Sequence, residues 1–499
     1  MTGHPFYRAR ESDVLLPALK QLYWRWRLRR ESLPAEFDSS WYQLRYRDVA
    51  AAKLDPKIHY LRFGRQELRD PNPNFSASGY LRTEPDAAQA DDPLKHYLQI
   101  GRKAGVAPMP EFKGRQPFRH EAPVLMVCGH QAERELYGAE RSLVDVLDGL
   151  NSLGVNVVVT LPSAVNENYV KTVEARAWRL VVLPYGWWYA GRPTVEATQK
   201  NFERLLIKFT VNAVLINTLV LHEPTLAARR LDIPVAMFVR ELPAHDPALC
   251  DLLQASADVI INRVRQLADV VVTNSDFTAK SLSLPNARVV PNVIEMDDYR
   301  NLSTPTDRGE PFTVIMISSN LPKKGLEDFV ALAQELEASG VQCKLIGPEN
   351  AYVAELRQKQ QGGALPDNLV FSGYVDTAQE ALRQGDVLVN LSHFQESFGR
   401  TVLEAMAAGR PVIAYCWGAL PELVEHKVTG CLVSVGNVQA VARYVRKLAE
   451  HKELRDTFGR AAQDKARQHY SRKASKDGLS KVLRQLKSRR LEHHPPGMA

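Results

Sequence analysis

Apolar residues follow two different rhythms along this chain. Up to about residue 118 they recur at helical spacing in short runs broken by Pro and Gly. From Pro123 they form continuous runs separated by longer amphipathic stretches. Such runs predict buried parallel strands joined by crossover helices. The first set is PVLMVC (123–128), VNVVVT (155–160), RLVVLP (179–184), AVLIN (213–217), PVAMFV (234–239) and VVVTN (270–274), with helices over 139–153 and 197–209 between them. A polar stretch, NLSTPTDRGEP (301–311), interrupts the pattern. A second set follows: FTVIMIS (312–318), QCKLIG (342–347), NLVFSG (368–373), DVLVNLS (386–392), PVIAY (411–415) and GCLVSV (430–435). The fold class expected is α/β, with two Rossmann-like domains facing a cleft, preceded by a small helical repeat domain. Ligands of open parallel sheets sit beyond the carboxyl ends of the strands, so the cleft is the expected site.

The helical region repeats. Phe37-Asp38, Tyr42, Asp48, Asp55-Pro56, His59-Tyr60-Leu61, Gly64 and the Pro-rich 71–75 return as Phe75, Tyr80, Asp86, Asp92-Pro93, His96-Tyr97-Leu98, Gly101 and the Pro-rich 108–112. His59 and His96 form a candidate metal pair, but each lies in an apolar stripe, and a repeated packing position explains the recurrence better. The resulting division is a basic amphipathic helix over 1–32, two helical repeats over 33–118, and Rossmann-like domains over 119–300 and 301–465. A basic helix and tail occupy 466–499.

Composition adds setting rather than chemistry. The chain has 499 residues, 45% of them hydrophobic and 24% charged, as in globular proteins. No apolar run is long enough to cross a bilayer. The start, MTGHPFYRARESD, has no apolar core, so no signal peptide is expected. Five scattered cysteines without metal spacing read as core thiols of a reducing compartment. The net charge of +7 is concentrated in KQLYWRWRLRR (20–30) and between Lys465 and Arg490. Such helices are either solvated faces or docking sites for anionic lipid, and Tyr23, Trp24 and Trp26 put the lipid reading level with the solvated one for the first. Nucleic acid is not expected, because no nucleic-acid motif accompanies the charge.

The chemistry concentrates in SHFQESFGRTVLEAMAAGRPVIAYCWGALPELVEHKVTGCLV (392–433). A strand ends in a loop holding Glu396, Phe398 and Gly399, and a helix runs from Arg400 to about Ala408. Gly399 allows close approach of a ligand to the backbone. The helix start behind it, through Arg400, Thr401 and Val402, presents free N–H groups to a diphosphate. Glu396 and Glu404 are eight residues apart, roughly 12 Å if fully helical. That span lets one carboxylate hold sugar hydroxyls and the other ribose hydroxyls. A solvated helix face, or pairing of Glu404 with Arg410, is the simpler alternative for the bare spacing.

The complete stretch, with EAMAAGRPVIA, the GAL turn before Pro421-Glu422-Leu423, and Val428-Thr429-Gly430, resembles the E-x-seven-E region of the family 4 retaining glycosyltransferases, which have the GT-B fold. The helical repeats resemble modules attached to bacterial polysaccharide glycosyltransferases. In SSNLPKKG (318–325) the resemblance assigns Lys324 to the donor diphosphate, while Asn320 stands where the family has an Arg; Lys323 or Arg400 can compensate. Gly138, in YGAERSL (137–143), matches a Gly-rich loop facing the donor, with Glu140 and Arg141 capping and pairing within the helix. Asn274-Ser275 and Pro291-Asn292 match strand-end punctuation. After PVAMFV the family commonly has a His near the reacting sugar; here Arg240 stands there, followed by Glu241, and a buried Arg–Glu pair is the structural alternative. His130 is a further polar candidate, and the aromatics Tyr185, Trp187, Trp188 and Tyr189 suit either an acceptor sugar or the core.

The resemblance implies a retaining, metal-independent hexosyltransferase. Its substrates would be a nucleoside-diphosphate sugar and a glycan or lipid-linked acceptor, with no cofactor. Catalysis falls to Glu396, Lys324 and Arg240, in a cytoplasmic enzyme of surface polysaccharide or lipopolysaccharide synthesis, peripheral to the inner face of the membrane. A binding or scaffold protein that has lost turnover is the alternative left open by Asn320 and Arg240.

Overall fold

The structure is a computed structural model that describes residues 33–493 except 91, 131, 133–137 and 285. The basic helix expected over 1–32, Tyr137 and the tail beyond 493 lie outside the described residues. The described chain divides into two compact units. One takes in the residues up to Val239, Ala248–Val272 and the chain from Leu479; the other holds Arg240–Pro247 and Thr273–Gly478.

Within the first unit, corresponding residues of the two helical copies make corresponding bonds. Asp55 and Asp92 cap helices that open on Pro56 and Pro93, each accepting two backbone N–H groups through Oδ1. The Tyr42 hydroxyl meets His59 Nδ1 at 3.1 Å, and Tyr80 meets His96 Nδ1 at 2.8 Å. The same hydroxyls occupy the space where Gly64 and Gly101 would carry a side chain, 2.2 and 2.3 Å from a Cβ built there. The two glycines therefore recur because a tyrosine fills their place. Each histidine is committed to the tyrosine of its own copy, and burial holds the His59 pKa below its ordinary value. Among the described residues no group of three or more His, Cys, Asp or Glu side chains is placed to hold a metal. The copies are joined by Tyr60 donating to Asp92 (2.9 Å) and by Ala77 N donating to the buried Asp70 carboxylate (2.8 Å).

The sheet of this unit runs β1-β4-β3-β2-β5-β6-β7. Its strands are β1 (Glu111–Lys113), β2 (Val124–Cys128), β3 (Asn156–Leu161), β4 (Arg179–Val182), β5 (Ala213–Ile216), β6 (Val235–Val239) and β7 (Val270–Thr273). Strands β2 to β7 coincide with the six apolar runs, because a strand buried on both faces has no polar face to show. The edge strand β1 is a departure from the expected Pro-rich turn. It pairs antiparallel with β4, Glu111 meets Arg179 at 3.0 Å, and Gly114 follows where a Cβ would lie 1.9 Å from the Ala177 carbonyl oxygen.

In the second unit the two-residue β8 (Arg288–Val289) is followed by β9 (Thr313–Ile317), β10 (Gln342–Ile346), β11 (Leu369–Gly373), β12 (Val387–Asn390), β13 (Val412–Tyr415) and β14 (Gly430–Val433). The last six form a wholly parallel sheet ordered β11-β10-β9-β12-β13-β14. Again each strand lies on an apolar run of the sequence. Two clusters of buried side chains fill this unit: one contains the inner faces of helices Leu326–Leu336 and Val438–Glu450, the other that of Arg400–Ala407. Three of the five free thiols, Cys128, Cys343 and Cys431, are buried, whereas Cys416 is exposed. No described helix is long and apolar enough to cross a membrane.

Candidate functional site

The loops at the carboxyl ends of β9 and β12 meet beside each other in the second unit. After β9 the chain makes a short 3-10 turn, Pro322–Lys324, and Gly325 (φ +81°) starts helix Leu326–Leu336. A Cβ on Gly325 would lie 1.8 Å from the Leu391 carbonyl oxygen, so only glycine lets the turn come this close to the end of β12. The contact continues as His393 N donates to the Lys323 carbonyl at 2.9 Å. Lys324 Nζ then reaches Glu396 Oε1 at 2.6 Å, with both side chains about four-fifths buried. Lys323 lies with its Nζ 4.5 Å from the centre of the Phe394 ring.

Glu396 is held from behind. Gly418 (φ +60°) packs so closely that a Cβ would stand 2.8 Å from both Glu396 N and O, and Ala419 N donates to the Glu396 carbonyl at 2.9 Å. The next residue, Ser397, is gripped through its carbonyl by the hydroxyls of Ser275 (2.7 Å) and Thr278 (3.1 Å). Asn274 Nδ2 adds a long contact to its hydroxyl. Glu422 accepts the N–H groups of Asp276 and Phe277, and burial holds its carboxyl above the ordinary range. The Asn274-Ser275 punctuation is thus a positioning element for the glutamate loop.

Gly399 (φ +98°) turns the chain into helix Arg400–Ala407. A Cβ there would stand 2.7 Å from Leu420 Cδ2, so glycine is required by the turn as well as by any ligand. Glu396 therefore sits in the loop before a left-handed residue, and the helical estimate of its separation from Glu404 does not apply. The first N–H groups of this helix, at Arg400, Thr401 and Val402, have no intrahelical acceptor. Phe398 and Val402 point their side chains into the core, where Phe398 meets the Tyr470 ring edge-on at 5.7 Å, so only their backbone is available to a ligand. Arg400 and Thr401 are half-buried. Glu404 is 5% exposed, which overturns the solvated-face alternative. It does not need Arg410 either: that guanidinium donates to the carbonyls of Leu302, Ser303, Ala408 and Leu382, and burial lowers its pKa to about 10.

Asn320 is built into its own loop. It adopts φ +53°, is 2% exposed, donates through Nδ2 to the Pro348 carbonyl (3.1 Å) and accepts from Ser318 (3.0 Å). Its side chain shapes the β9 loop rather than offering a charge. A neighbouring cluster was not legible in the sequence. Asp328 Oδ2 accepts from His393 Nε2 (2.7 Å) and from the Tyr415 hydroxyl, tying helix Leu326–Leu336 to the glutamate loop and to β13. Burial, with Asp328 beside it, pushes the Tyr415 phenol up.

The remaining expected residues are placed as follows. Arg240 groups with the second unit and is half-buried; its backbone N donates to Glu241 Oε2 at 2.9 Å. Glu241 is also half-buried. In the first unit Gly138 opens helix Gly138–Ser152, and a Cβ on it would meet nothing within 4 Å. Glu140, expected to pair within its helix, is 3% exposed and lies 3.1 Å from His130 Nε2. Tyr185 belongs to the core, with its hydroxyl on the carbonyls of Gly129 and Thr160, whereas Trp187, Trp188 and Tyr189 are half-exposed.

A parallel sheet whose strand-end loops converge a lysine, a glutamate and a glycine-led helix start has the parts needed to hold an anionic, hydroxyl-rich ligand. Comparison with known proteins agrees. The family described as "Glycosyl transferases group 1" matches residues 301–465, and that described as "Glycosyl transferase 4-like domain" matches 137–293. N-acetyl-alpha-D-glucosaminyl L-malate synthase of Bacillus anthracis is 32% identical over 155 residues, 30% of this chain and 39% of that protein. A GDP-mannose-dependent alpha-(1-6)-phosphatidylinositol monomannoside mannosyltransferase of Mycobacterium tuberculosis is 27% identical over 229 residues, 41% of this chain and 59% of that protein. The chain thus matches less than two thirds of the length of either relative. The solved structure of Anabaena Alr3699/HepE in complex with UDP-glucose covers 72% of this chain and 99% of its own, with a TM-score of 0.58 at 21% identity. With both domains matched and the fold shared, the chain belongs to the family 4-like glycosyltransferases of the GT-B fold.

Proposed function

We propose that this protein transfers a sugar from a nucleoside-diphosphate sugar to a glycan or lipid-linked acceptor, with retention at the anomeric carbon. The observation that carries the reading is the Lys324–Glu396 pair lying in the loops ahead of the helix start at 400–402, with Glu404 buried within the same helix. Lys324 and the helix N–H groups would face the diphosphate, where charge develops as the bond from the anomeric carbon to the leaving oxygen breaks. Glu396 would hold sugar hydroxyls and Glu404 the ribose. The acceptor oxygen would bond to the anomeric carbon on the same face, its proton passing to the departing phosphate. These groups supply the charge stabilisation without a metal, and Arg240 is an added candidate on the sugar side. Solved relatives carry UDP and UDP-glucose, and a related mannosyltransferase acts on a phosphatidylinositol glycolipid, which supports a sugar-nucleotide donor and a lipid-linked acceptor. The setting that follows is bacterial cell-envelope polysaccharide synthesis at the cytoplasmic face of a membrane.

A second reading, a sugar-nucleotide-binding protein without turnover, is favoured by the inward commitment of Asn320. Release of nucleoside diphosphate from a panel of sugar nucleotides separates the two. Turnover that falls at least tenfold in Lys324→Ala and Glu404→Gln supports transfer; tight donor binding without release, with glycan and lipid-linked acceptors present, supports the second reading.

A further inference from the structure

We propose that the outer face of the C-terminal helix Arg472–His493 is a docking surface for an anionic lipid bilayer. This helix has two sharply different faces. Ser475, Leu479, Val482 and Leu486 recur at steps of four, three and four, and all are buried. The opposite side carries Lys473, Lys476, Lys481, Arg484 and Lys487, all exposed, against one acid, Asp477. None of these five cations is ion-paired among the described residues. From Lys473 to Lys487 the row spans roughly 21 Å at the helical rise per residue. The exposed side of the helix is therefore predominantly positive, and the buried row lies on its other side.

The composition of that face selects the occupant. Long lysine and arginine stems let the cations reach into a headgroup layer while the helix stays above it. No aromatic side chain lies between residues 472 and 489, so nothing offers the stacking that single-stranded nucleic acid requires. No large apolar residue on this side is exposed, and Ala474 and Leu483 at its margins are half-buried, so attachment is electrostatic, reversible and salt-sensitive. The inference borrows its biological setting from the proposed lipid-linked acceptor, but its physics stands on the helix alone.

The test is co-sedimentation of the full chain with vesicles of phosphatidylcholine and phosphatidylglycerol in equal parts, against phosphatidylcholine alone. Wild type is expected to bind the anionic vesicles and to leave the neutral ones. Combined Lys473→Glu, Lys476→Glu and Lys481→Glu, with thermal unfolding checked as unchanged, is expected to weaken that binding at least tenfold. Unchanged binding by the folded variant, equal binding to neutral vesicles, no binding by wild type, or tighter binding to duplex DNA at matched salt would each overturn the proposal. Donor turnover in solution is measured alongside and should be untouched. Its absence in wild type would count against the proposed function, not against the docking surface.

Discussion

Lys324 and Glu396 are 72 positions apart in the chain and meet at 2.6 Å. The contact is produced by two glycines that belong to neither residue: Gly325 presses the lysine turn onto Leu391, and Gly418 presses β13's exit onto the glutamate peptide. The ammonium neutralises the carboxylate, so two largely buried charges are held without an uncompensated ion.

The glycines are the first test. Gly325→Ala places a Cβ against a carbonyl oxygen and also strains a positive φ, so it should destabilise by at least about 2 kcal/mol. Gly309→Ala has the same sign of φ but nothing within 4 Å, and should cost only about 1 kcal/mol. Urea unfolding of the two variants measures the gap; equal costs would contradict the close approach.

Asn320 gives the second. If it shapes the loop, replacing it by the arginine of related proteins will not restore a missing charge. Asn320→Arg must break the bonds to Pro348 and Ser318 at a left-handed, buried position. It should lower stability by about 2 kcal/mol and leave donor turnover equal or lower. A variant that is stable and faster would show that the position accepts a phosphate-facing cation.

Asp70 gives a pH dependence. Burial pushes its carboxyl up to about 7, so the folded protein holds this proton over a range where the unfolded chain releases it. Its contribution is fully present below about pH 4 and is lost as pH rises through about 7. Asp70→Asn keeps an oxygen for Ala77 N and removes the titration. The two proteins should be close in stability at pH 4.5, with the Asn form ahead at pH 8 by up to about 4 kcal/mol. Thermal unfolding at both values measures the gap; a constant difference would contradict it.

The two sheets were legible because buried parallel strands are continuous apolar runs, and all twelve appear where the runs lie. Glu396, Gly399, Glu404 and Lys324 were legible because strand, loop and helix are contiguous around them. The clasp of Ser275 and Thr278 on Ser397, the Glu422 carboxylate on the N–H groups of Asp276 and Phe277, and the Asp328–His393–Tyr415 tie were not. Each joins residues from separate segments, and no local pattern announces a contact made only when the sheet assembles. Phe398 and Val402 show the converse: motif membership does not say which way a side chain points, and theirs fill the core.

The central claim is that Lys324, the helix start and Glu404 hold a nucleoside diphosphate. Calorimetric titration with UDP and GDP tests it directly. Wild type should bind at least one of them, and Lys324→Ala and Glu404→Gln should each weaken that binding about tenfold or more, about 1.4 kcal/mol. Undiminished affinity in both variants, or no binding of either nucleotide by wild type, would contradict it.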